Sequence, residues 1–468
     1  MALSGPGGSI MSGQSMSFGF VGALKDVTAF QAYIKKQNSS AEVKNGGNYS
    51  YIPLGNDFIA GWNSDVVIVA QAHAGSSSPG SYNTGEGTLS QQLLTKLFSQ
   101  AESESVASVK EFGDVVKENA DMMFFLNSSD NPASSILNMT KASDLLKDSY
   151  TAGTLNFEDG VVKASVKSYY NKSLTEIIKK YPSSGLDESM INKYPSSSID
   201  GFVNFSLNPQ MVIAIVKFAG FDALANQGLE SSGMNFTLDD IAKAFNGNLA
   251  FVASDFAIVS KTVTGYGNFK LAQPVVTKSP SVKYVFNAGI GDAASFKKIM
   301  SALVAKGIMV EQNGQYVLPQ LSSGYTIRST DKNFYVASDD TLLQKYMAGT
   351  GNAGIAADVK EKMKNKSSAL YIDINKILQA VPADTADQAI LDTAKATFKD
   401  IIFTGDKYDG QSVKGTMEMR MVNEKENSLA TFFRFIVTAG KTLHEQKKYN
   451  LNSMPDRFAP PVVDSTKP

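Results

Sequence analysis

Few residues in this chain have the type and spacing needed for catalysis. Its two histidines are His73, which opens a Gly/Ser-rich loop, and His444, which lies in the charged end of the last predicted helix. A Ser-His-Asp triad needs an imidazole held beside both a serine and a carboxylate. Neither histidine lies in such a setting, so we interpret both as exposed polar residues. The sequence predicts no catalytic, cofactor-binding or metal-binding residue.

The glycine run from Gly349 to Gly354 has the GxGxxG spacing found in dinucleotide-binding loops. In those loops a strand precedes the glycines and a helix begins within them, so that the helix N-terminus meets the pyrophosphate. Here a predicted helix, TLLQKYMA, comes before the glycines. The run therefore indicates the end of a helix followed by a flexible loop.

Two pairs of adjacent aspartates, Asp239-Asp240 and Asp339-Asp340, could be read as paired carboxylates. Both pairs stand at predicted helix starts, where the helix dipole favours acidic side chains. Their spacing lacks the alternating oxygen ligands of a calcium loop. We interpret both pairs as helix caps.

Two other features have both a binding and a structural interpretation. Met417, Met419 and Met421 recur at every second residue, which suits a metal-binding row or one buried face of a strand. Trp62, the only tryptophan, could be a platform for a sugar ring. We favour the structural interpretation of each, a strand with one buried face and a tryptophan packed in the core at a sheet edge.

The elements that must position these residues recur along the chain. In two stretches a strand leads into a helix at an aspartate, Asp26 or Asp292, which can cap the first helical turn. Apolar residues at helical spacing then predict a face packed on a sheet: Val27, Phe30 and Ile34 in the first copy, and Ala293, Phe296, Ile299, Met300 and Leu303 in the second.

The likeness continues beyond this unit. The pairs Asn45-Gly46 and Asn313-Gly314 each predict a tight hairpin turn. Further hairpins, runs that read as buried strands, and helix starts recur in the same order: Met122–Asn127 with Ala369–Asn375, Asp159-Gly160 with Asp409-Gly410, and Asn171 with Asn427. We interpret this as an internal duplication. The predicted fold class is α+β, with two tandem related halves, each a mainly antiparallel sheet with helices packed on one face.

This interpretation divides the chain as follows: a flexible segment 1–17, a first half 18–181, a linker 182–199, a second half 200–443 and a tail 444–468. Lys270–Pro280 is predicted to be a further polar linker within the second half. The front unit of the second half, from Gly201 to this linker, has no counterpart in the first half. We therefore expect a corresponding segment upstream of Met1.

Composition narrows the function classes. The chain has 468 residues, of which 44 are basic and 45 acidic, so its net charge is −1. Because no basic stripe appears, nucleic acid is not an expected partner. The absence of cysteine excludes disulfides and thiolate metal sites. No apolar run approaches the roughly 18 residues of a membrane span, and the N-terminus does not read as a signal peptide.

Several stretches together resemble an envelope protein family of Bacteroides-type bacteria, catalogued as domain of unknown function 4836. The resemblance covers nearly the whole chain from Phe18. It rests on FVGALKDVTAF, NYSYIPLG, DGFVNFSLNPQ, LDDIAKAFNGNLAFVASDF and KGTMEMRMVNEKENSLATFF. Members of this family usually look like lipoproteins, with a signal peptide and an acylated cysteine that this chain lacks. The resemblance implies a location in the cell envelope and supplies no activity or site residues.

The sequence therefore favours a non-enzymatic binding or scaffold protein of the cell envelope, with a peptide, glycan or protein as its partner. The alternative is an envelope hydrolase with a site assembled from distant loops. A concave pocket with two perturbed carboxylates would favour the hydrolase. A flat, exposed apolar patch would favour binding.

Overall fold

The computed structural model describes residues 2–4, 16–37, 42–55, 58–73, 86–128, 141–266, 269–312, 315–319, 324–383 and 388–452. The chain divides into two units. The first comprises Met1–Gly153, Lys167–Ile177 and Ile215–Asp222, and the second comprises Thr154–Val166, Ile178–Ala214 and Ala223–Pro468. The fold is α+β, as predicted, with antiparallel sheets and helices packed against them. The tandem duplication stays a prediction.

The α-helices of the described ranges are α1 (Val27–Gln37), α2 (Glu86–Ser99), α3 (Lys110–Val116), α4 (Ser143–Leu146), α5 (Lys172–Lys180), α6 (Ser189–Asn192), α7 (Pro209–Phe218), α8 (Asp222–Ser231), α9 (Leu238–Ala244), α10 (Ala293–Ala305), α11 (Asp340–Met347), α12 (Ala357–Met363), α13 (Ile374–Gln379), α14 (Gln388–Thr397) and α15 (Ser428–Asn452). The last helix extends past the predicted boundary at 443.

The strands are β1 (Ala2–Ser4), β2 (Met16–Ala23), β3 (Lys44–Asn45), β4 (Ser50–Gly55), β5 (Phe58–Trp62), β6 (Val66–His73), β7 (Met122–Asn127), β8 (Tyr150–Glu158), β9 (Val161–Tyr169), β10 (Ile199–Ser206), β11 (Phe245–Tyr266), β12 (Phe269–Ile290), β13 (Val310–Gln312), β14 (Gln315–Val317), β15 (Thr326–Ser329), β16 (Asn333–Ala337), β17 (Ser368–Ile372), β18 (Phe398–Gly405) and β19 (Ser412–Met421).

Most helix starts follow the predicted capping residues. Asp26 accepts a hydrogen bond from the backbone N–H of Ala29 at 2.9 Å, and Asp292 accepts one from Ser295 at 2.7 Å. These bonds satisfy donors that the first helical turn leaves free. The Asn45-Gly46 pair lies at the turn between β3 and β4, as predicted. Asn313-Gly314 falls outside the described residues.

The first unit contains an antiparallel sheet of order β1-β2-β6-β5-β4-β3. On one face α1 packs through Phe30 and Ile34 against Ile52 and Trp62. On the other face α2 packs through Leu94 against a second buried cluster, Tyr49, Tyr51, Ile59, Ile68 and Ala70. Helices therefore lie on both faces of this sheet, whereas the sequence predicted helices on one face.

The second unit contains a long antiparallel sheet of order β15-β16-β12-β11-β10-β17-β18-β19-β9-β8. The first residues of β8, Tyr150 to Gly153, belong to the first unit, and β7 lies next to β8 in the same unit. Helices α6, α11 and α12 cover one face of the second unit's sheet, which we call the covered face. The largest core cluster of the protein lies there and includes Ile191, Tyr194, Phe202, Val252, Leu343, Tyr346, Val359 and Ile402.

Segment 182–199, predicted to be a linker, belongs to this core. Ile191 and Tyr194 are fully buried, and Met190 is nearly so. The hydroxyl of Tyr194 lies 2.9 Å from Ser254 Oγ in β11. The prolines of this segment do interrupt the helical pattern, but the residues between them pack as tightly as any in the sheet.

The predicted polar linker Lys270–Pro280 is instead part of β12, and this prediction was wrong. Its residues pair with β11 in one long antiparallel hairpin. In the described part of the chain, β10 reaches β11 only as far as Ser254, and β16 reaches β12 only from Val285. The outer parts of β11 and β12 therefore form a two-stranded arm. Polar and proline residues are tolerated in a two-stranded arm, because each of its strands has a free edge.

The prediction that Met122–Asn127 is a buried strand was half right. The segment forms β7, but Met122, Met123, Phe124 and Leu126 are between 42% and 59% exposed. An apolar run indicates a strand, yet it does not show whether a covering layer exists.

No single helix in the described ranges is long and apolar enough to cross a membrane. Helices α7 and α8 reach that length and composition only when taken together, and they are bent by 106° at the break between them.

Candidate binding surface

A row of apolar residues crosses the second unit's sheet on the face opposite the covered face. Successive residues of a strand point to opposite faces, and residues paired in register point to the same one. Eight paired residues make up this apolar row, from β15 to β19: Ile327, Val336, Phe286, Phe251, Val203, Leu370, Phe403 and Met417. No polar or charged residue interrupts it.

One end of the apolar row is covered by α10. Phe296 and Met300 of this helix are buried in a cluster with Ile327, and Val336 packs against the same cluster. The helix is held from outside by an ion pair of 2.7 Å between Lys298 and Asp240, which joins α10 to α9. This end of the row is therefore ordinary core.

The middle of the apolar row is open. Phe251 is 38% exposed and Val203 is 36% exposed, and Met417, at the β19 end of the row, is also 36% exposed. Their neighbours on the covered face differ sharply, since Val252 is 1% exposed and Ile402 is 3% exposed. The same strands thus present a packed side and an open apolar side.

Aromatic rings make up part of the open region. The ring of Phe251 stacks on Tyr284, with the centroids 5.6 Å apart and the planes at 24°. The ring of Phe403 lies over Gly415, where a Cβ atom would come within 3.2 Å of two ring carbons. A side chain at this glycine would therefore displace the phenylalanine. Aromatic and aliphatic surface of this kind is suited to apolar contact.

The carboxylates that the fold brings together lie on or beside the covered face, and they are already paired. Asp400 is 2% exposed, and both its oxygens accept hydrogen bonds of 2.5 Å from Arg420. Arg420 also pairs with Asp358 of α12. Hydrogen bonds to Asp400 and Asp358 raise the pKa of Arg420 above its usual value despite the opposing effect of burial. This arginine is charged at every accessible pH.

A second buried carboxylate, Asp200, is also satisfied. It accepts a hydrogen bond of 2.7 Å from the backbone N–H of Phe256 and pairs with Lys376 at 2.8 Å. Burial raises the pKa of Tyr194 to about 12 and also raises the pKa of Tyr371. Their phenols stay protonated at neutral pH. Neither carboxylate is free to act as a nucleophile or base, so this network is structural.

The aspartate pairs are caps, as predicted. Asp240 and Thr237 exchange hydrogen bonds in a capping box, and the Lys298 hydrogen bond, followed by that of the Thr237 backbone, lowers the pKa of Asp240 to about 2. Asp339 accepts a hydrogen bond of 2.8 Å from the backbone N–H of Leu342. Asp340 forms an ion pair of 2.5 Å with Arg328.

The glycine run follows α11, as predicted, but it is not a loose loop. A Cβ atom at Gly351 would lie 2.2 Å from the carbonyl oxygen of Lys193, and one at Gly354 would lie 1.8 Å from that of Ser197. The backbone N–H of Gly354 donates to Ser196. These glycines allow close backbone packing and do not form a phosphate-binding turn.

Trp62 is packed in the core, as predicted. It is 1% exposed, and Phe30 meets its ring edge-on at 5.4 Å. It lies on β5, between two other strands, and not at the sheet edge.

The three methionines at alternate positions of β19 differ in exposure. Met421 is buried and Met417 is exposed, so they do not form one buried face of the strand. His73 ends β6 and His444 lies in α15, and both side chains lie outside the described residues.

The described ranges contain no group of three or more histidine, aspartate or glutamate residues placed to hold a metal ion.

A comparison of the chain with family models, curated proteins and solved structures finds no match. The resemblance to an envelope family therefore stays a prediction.

Sequence analysis did not identify the apolar row, although a signal was present. Several central strands carry two adjacent apolar residues, such as Phe202-Val203, Phe251-Val252 and Ile402-Phe403. Such pairs place an apolar side chain on each face of the sheet. They are typical of strands buried on both faces. The sequence did not show that the helices would cover only one of those faces over the middle of the row.

Proposed function

We propose that this chain is a non-enzymatic binding protein of the bacterial cell envelope, and that the open middle of the apolar row is its binding surface. The observation that carries the proposal is the contrast along single strands between Val252 or Phe202, which are buried, and their neighbours Phe251 or Val203, which are open. An apolar patch left exposed beside a well-packed core is typical of an interaction site.

A polypeptide partner with apolar side chains suits this surface best. The row offers only aliphatic, thioether and phenyl groups, which gain free energy by leaving water and make no hydrogen bonds to hydroxyl groups. A glycan would need polar side chains converging beside an aromatic platform, and Trp62 is buried. Among peptide, glycan and protein partners, the surface therefore favours the two polypeptide classes.

The hydrolase alternative has less support. Asp200 and Asp400, the acidic residues that the fold buries, both have their oxygens occupied by basic side chains or backbone N–H groups. These hydrogen bonds occupy the oxygen lone pairs that a nucleophile or general base would use.

Peptide display tests the surface. Random peptides are selected on the wild-type protein and then counter-selected on a Phe251→Lys variant. We expect the surviving peptides to be rich in apolar residues and to bind Leu224→Lys as well as wild type, because Leu224 is 66% exposed on α8 and lies outside the row. Peptides that bind all three proteins equally would contradict the proposal.

A second variant guards against a folding artefact. Met417→Lys changes the row at another strand, and thermal unfolding shows whether each variant is folded. Folded variants at both positions should lose the selected peptides.

The envelope location has its own test, independent of the surface. Mass spectrometry of the N-terminus of the protein taken from its own cells should find an acylated cysteine upstream of Met1. A free Met1 or Ala2 would refute the location and leave the binding surface untouched.

A further inference from the structure

Strand β7 in the first unit is an edge strand with unusual exposure. Among the described strands it is the last in its sheet order, with β8 as its one neighbour. The outer edge of such a strand presents backbone N–H and C=O groups to any strand that comes alongside. Only another extended strand can continue this hydrogen-bond ladder.

The side chains of β7 are apolar on both faces. Met122, Phe124 and Leu126 share one face and are 59%, 42% and 52% exposed. On the other face Met123 is 43% exposed. A strand that pairs with β7 must therefore be apolar on both faces too. A polar strand would place polar side chains beside these four apolar ones.

The inner side of β7 is well anchored. The ring of Phe125 stacks on Tyr150 of β8 at 5.3 Å and meets Phe112 of α3 edge-on at 5.5 Å. The ring of Phe124 lies over Gly153, where a Cβ atom would come within 2.2 Å of it. The strand is thus held firmly in its sheet, and its exposure does not arise from fraying.

Other edge strands of the described sheets are short or charged. Strand β3 has two residues and begins with Lys44, and β15 has four residues and carries Arg328. Short length and charge discourage strand addition. Strand β7 has six residues, MMFFLN, and none is charged or a proline. It lacks the features that protect the other edges.

We propose that β7 pairs with β7 of a second copy of this chain, antiparallel about a two-fold axis at Phe124. In that register Met122 lies opposite Leu126 of the second copy, and Met123 lies opposite Phe125. Every pair is apolar on both faces, and no like charges meet. A two-fold interface requires such self-complementarity, and the sequence of β7 supplies it without any other partner.

Sedimentation with charge-paired variants tests both the dimer and its register. The wild type should show a concentration-dependent dimer. The double variant Met122→Lys, Leu126→Lys places lysines opposite each other across the interface, so it should be monomeric, because like charges directly opposite repel. The matched double variant Met122→Lys, Leu126→Glu places opposite charges together and should restore the dimer. Within one copy the two positions are too far apart to interact, so both variants perturb the monomer alike.

Cysteine cross-linking provides a second measurement, because the chain has no cysteine of its own. A Phe124→Cys variant should form a disulfide dimer under mild oxidation, since the two introduced residues face each other at the axis. Met122→Cys should not, because its two copies would lie roughly 14 Å apart along the strands, beyond disulfide reach. Val106→Cys, 44% exposed elsewhere in the same unit, is the control for random collision.

A wild type that stays monomeric at all concentrations would overturn the proposal, and so would a dimer that survives the lysine pair. A monomeric result with capture of an added apolar strand peptide would assign the edge to a foreign partner instead.

Discussion

Each face of the second unit's sheet departs from the usual distribution of polar and apolar residues. The covered face contains Asn204, Asn287 and Asp400, which are all at most 2% exposed. The opposite face contains the apolar row, with Phe251 more than a third exposed. Buried polar residues and exposed apolar patches are the informative departures from average proteins. This sheet has both, on opposite faces of the same strands.

The two faces are specified by different kinds of interaction. On the covered face, polar side chains are paired with helices, as Arg420 is with Asp358. Such pairs fix the position of the covering layer at a cost in desolvation. On the open face nothing polar fixes a partner. The structural layer is specified by directional bonds, while the proposed binding layer depends on apolar area.

The largest expected effect comes from breaking the ion pair of the covered face. Asp400→Ala leaves Arg420 partly buried without its main partner, so we expect a loss of about 3–5 kcal/mol in the free energy of unfolding. Asp358→Ala removes a partner whose side chain is 48% exposed, and it should cost less than about 1 kcal/mol. Urea unfolding measures both. Equal losses would mean that Asp400 is more hydrated than its burial indicates.

The next effect compares apolar residues on the two faces. Ile402→Ala creates a cavity in the covered core and should cost about 2–5 kcal/mol. Met417→Ala, at a position 36% exposed on the neighbouring strand, should cost less than about 1 kcal/mol. Urea unfolding of both variants gives the comparison. If Met417→Ala were as costly as Ile402→Ala, the apolar row would be covered in solution.

The glycine run tests how closely the segment after α11 packs against the backbone of segment 182–199. Gly354→Ala places a methyl group against the carbonyl of Ser197, and we expect a loss of about 1–3 kcal/mol from overpacking. Gly349→Ala meets no atom within 4 Å, but its φ of 68° strains an L residue, so the loss should be about 1 kcal/mol. Thermal unfolding ranks the two. A larger loss of stability for Gly349→Ala would show that the backbone near Ser197 can move to accommodate the methyl group at position 354.

The smallest effect concerns the helix at the covered end of the row. Asp240→Asn removes the ion pair with Lys298 and should cost about 0.5–1 kcal/mol. The pKa of Asp240 is lowered to about 2, so its contribution is present above the unfolded-state pKa and is lost as pH falls through 2. The difference in the free energy of unfolding between wild type and variant should therefore become smaller as the pH falls below about 4. A difference that is constant with pH would assign the effect to geometry alone.

Local features of this fold could be predicted from the sequence, because the responsible residues are neighbours. The caps at Asp26, Asp292 and Thr237 and the strand–helix turn at Asn208 depend on contacts within a few residues. Each of these starts a helix at or next to its predicted position.

Burial could not be predicted in the same way, since it depends on distant partners. Tyr194 was assigned to a linker because prolines flank it, yet it packs under β11. Met122 was assigned to a buried strand because its neighbours are apolar, yet no layer covers it. The open row was missed for the same reason, because Phe251 and Val252 look alike in the sequence and differ only in what lies above them.

The pairing of β10 with its two neighbours fixes an order of assembly. The hairpin of β11 and β12 closes across the short connection from Tyr266 to Phe269, so it can form as soon as it leaves the ribosome. Val203 must also pair with Leu370, which is synthesised much later, and such distant contacts form slowly. The seam between β10 and β17 divides the apolar row near its middle. The part of the proposed binding surface on β17 to β19 can therefore join the part on β10 and β11 only after β17 has been synthesised and has paired with β10.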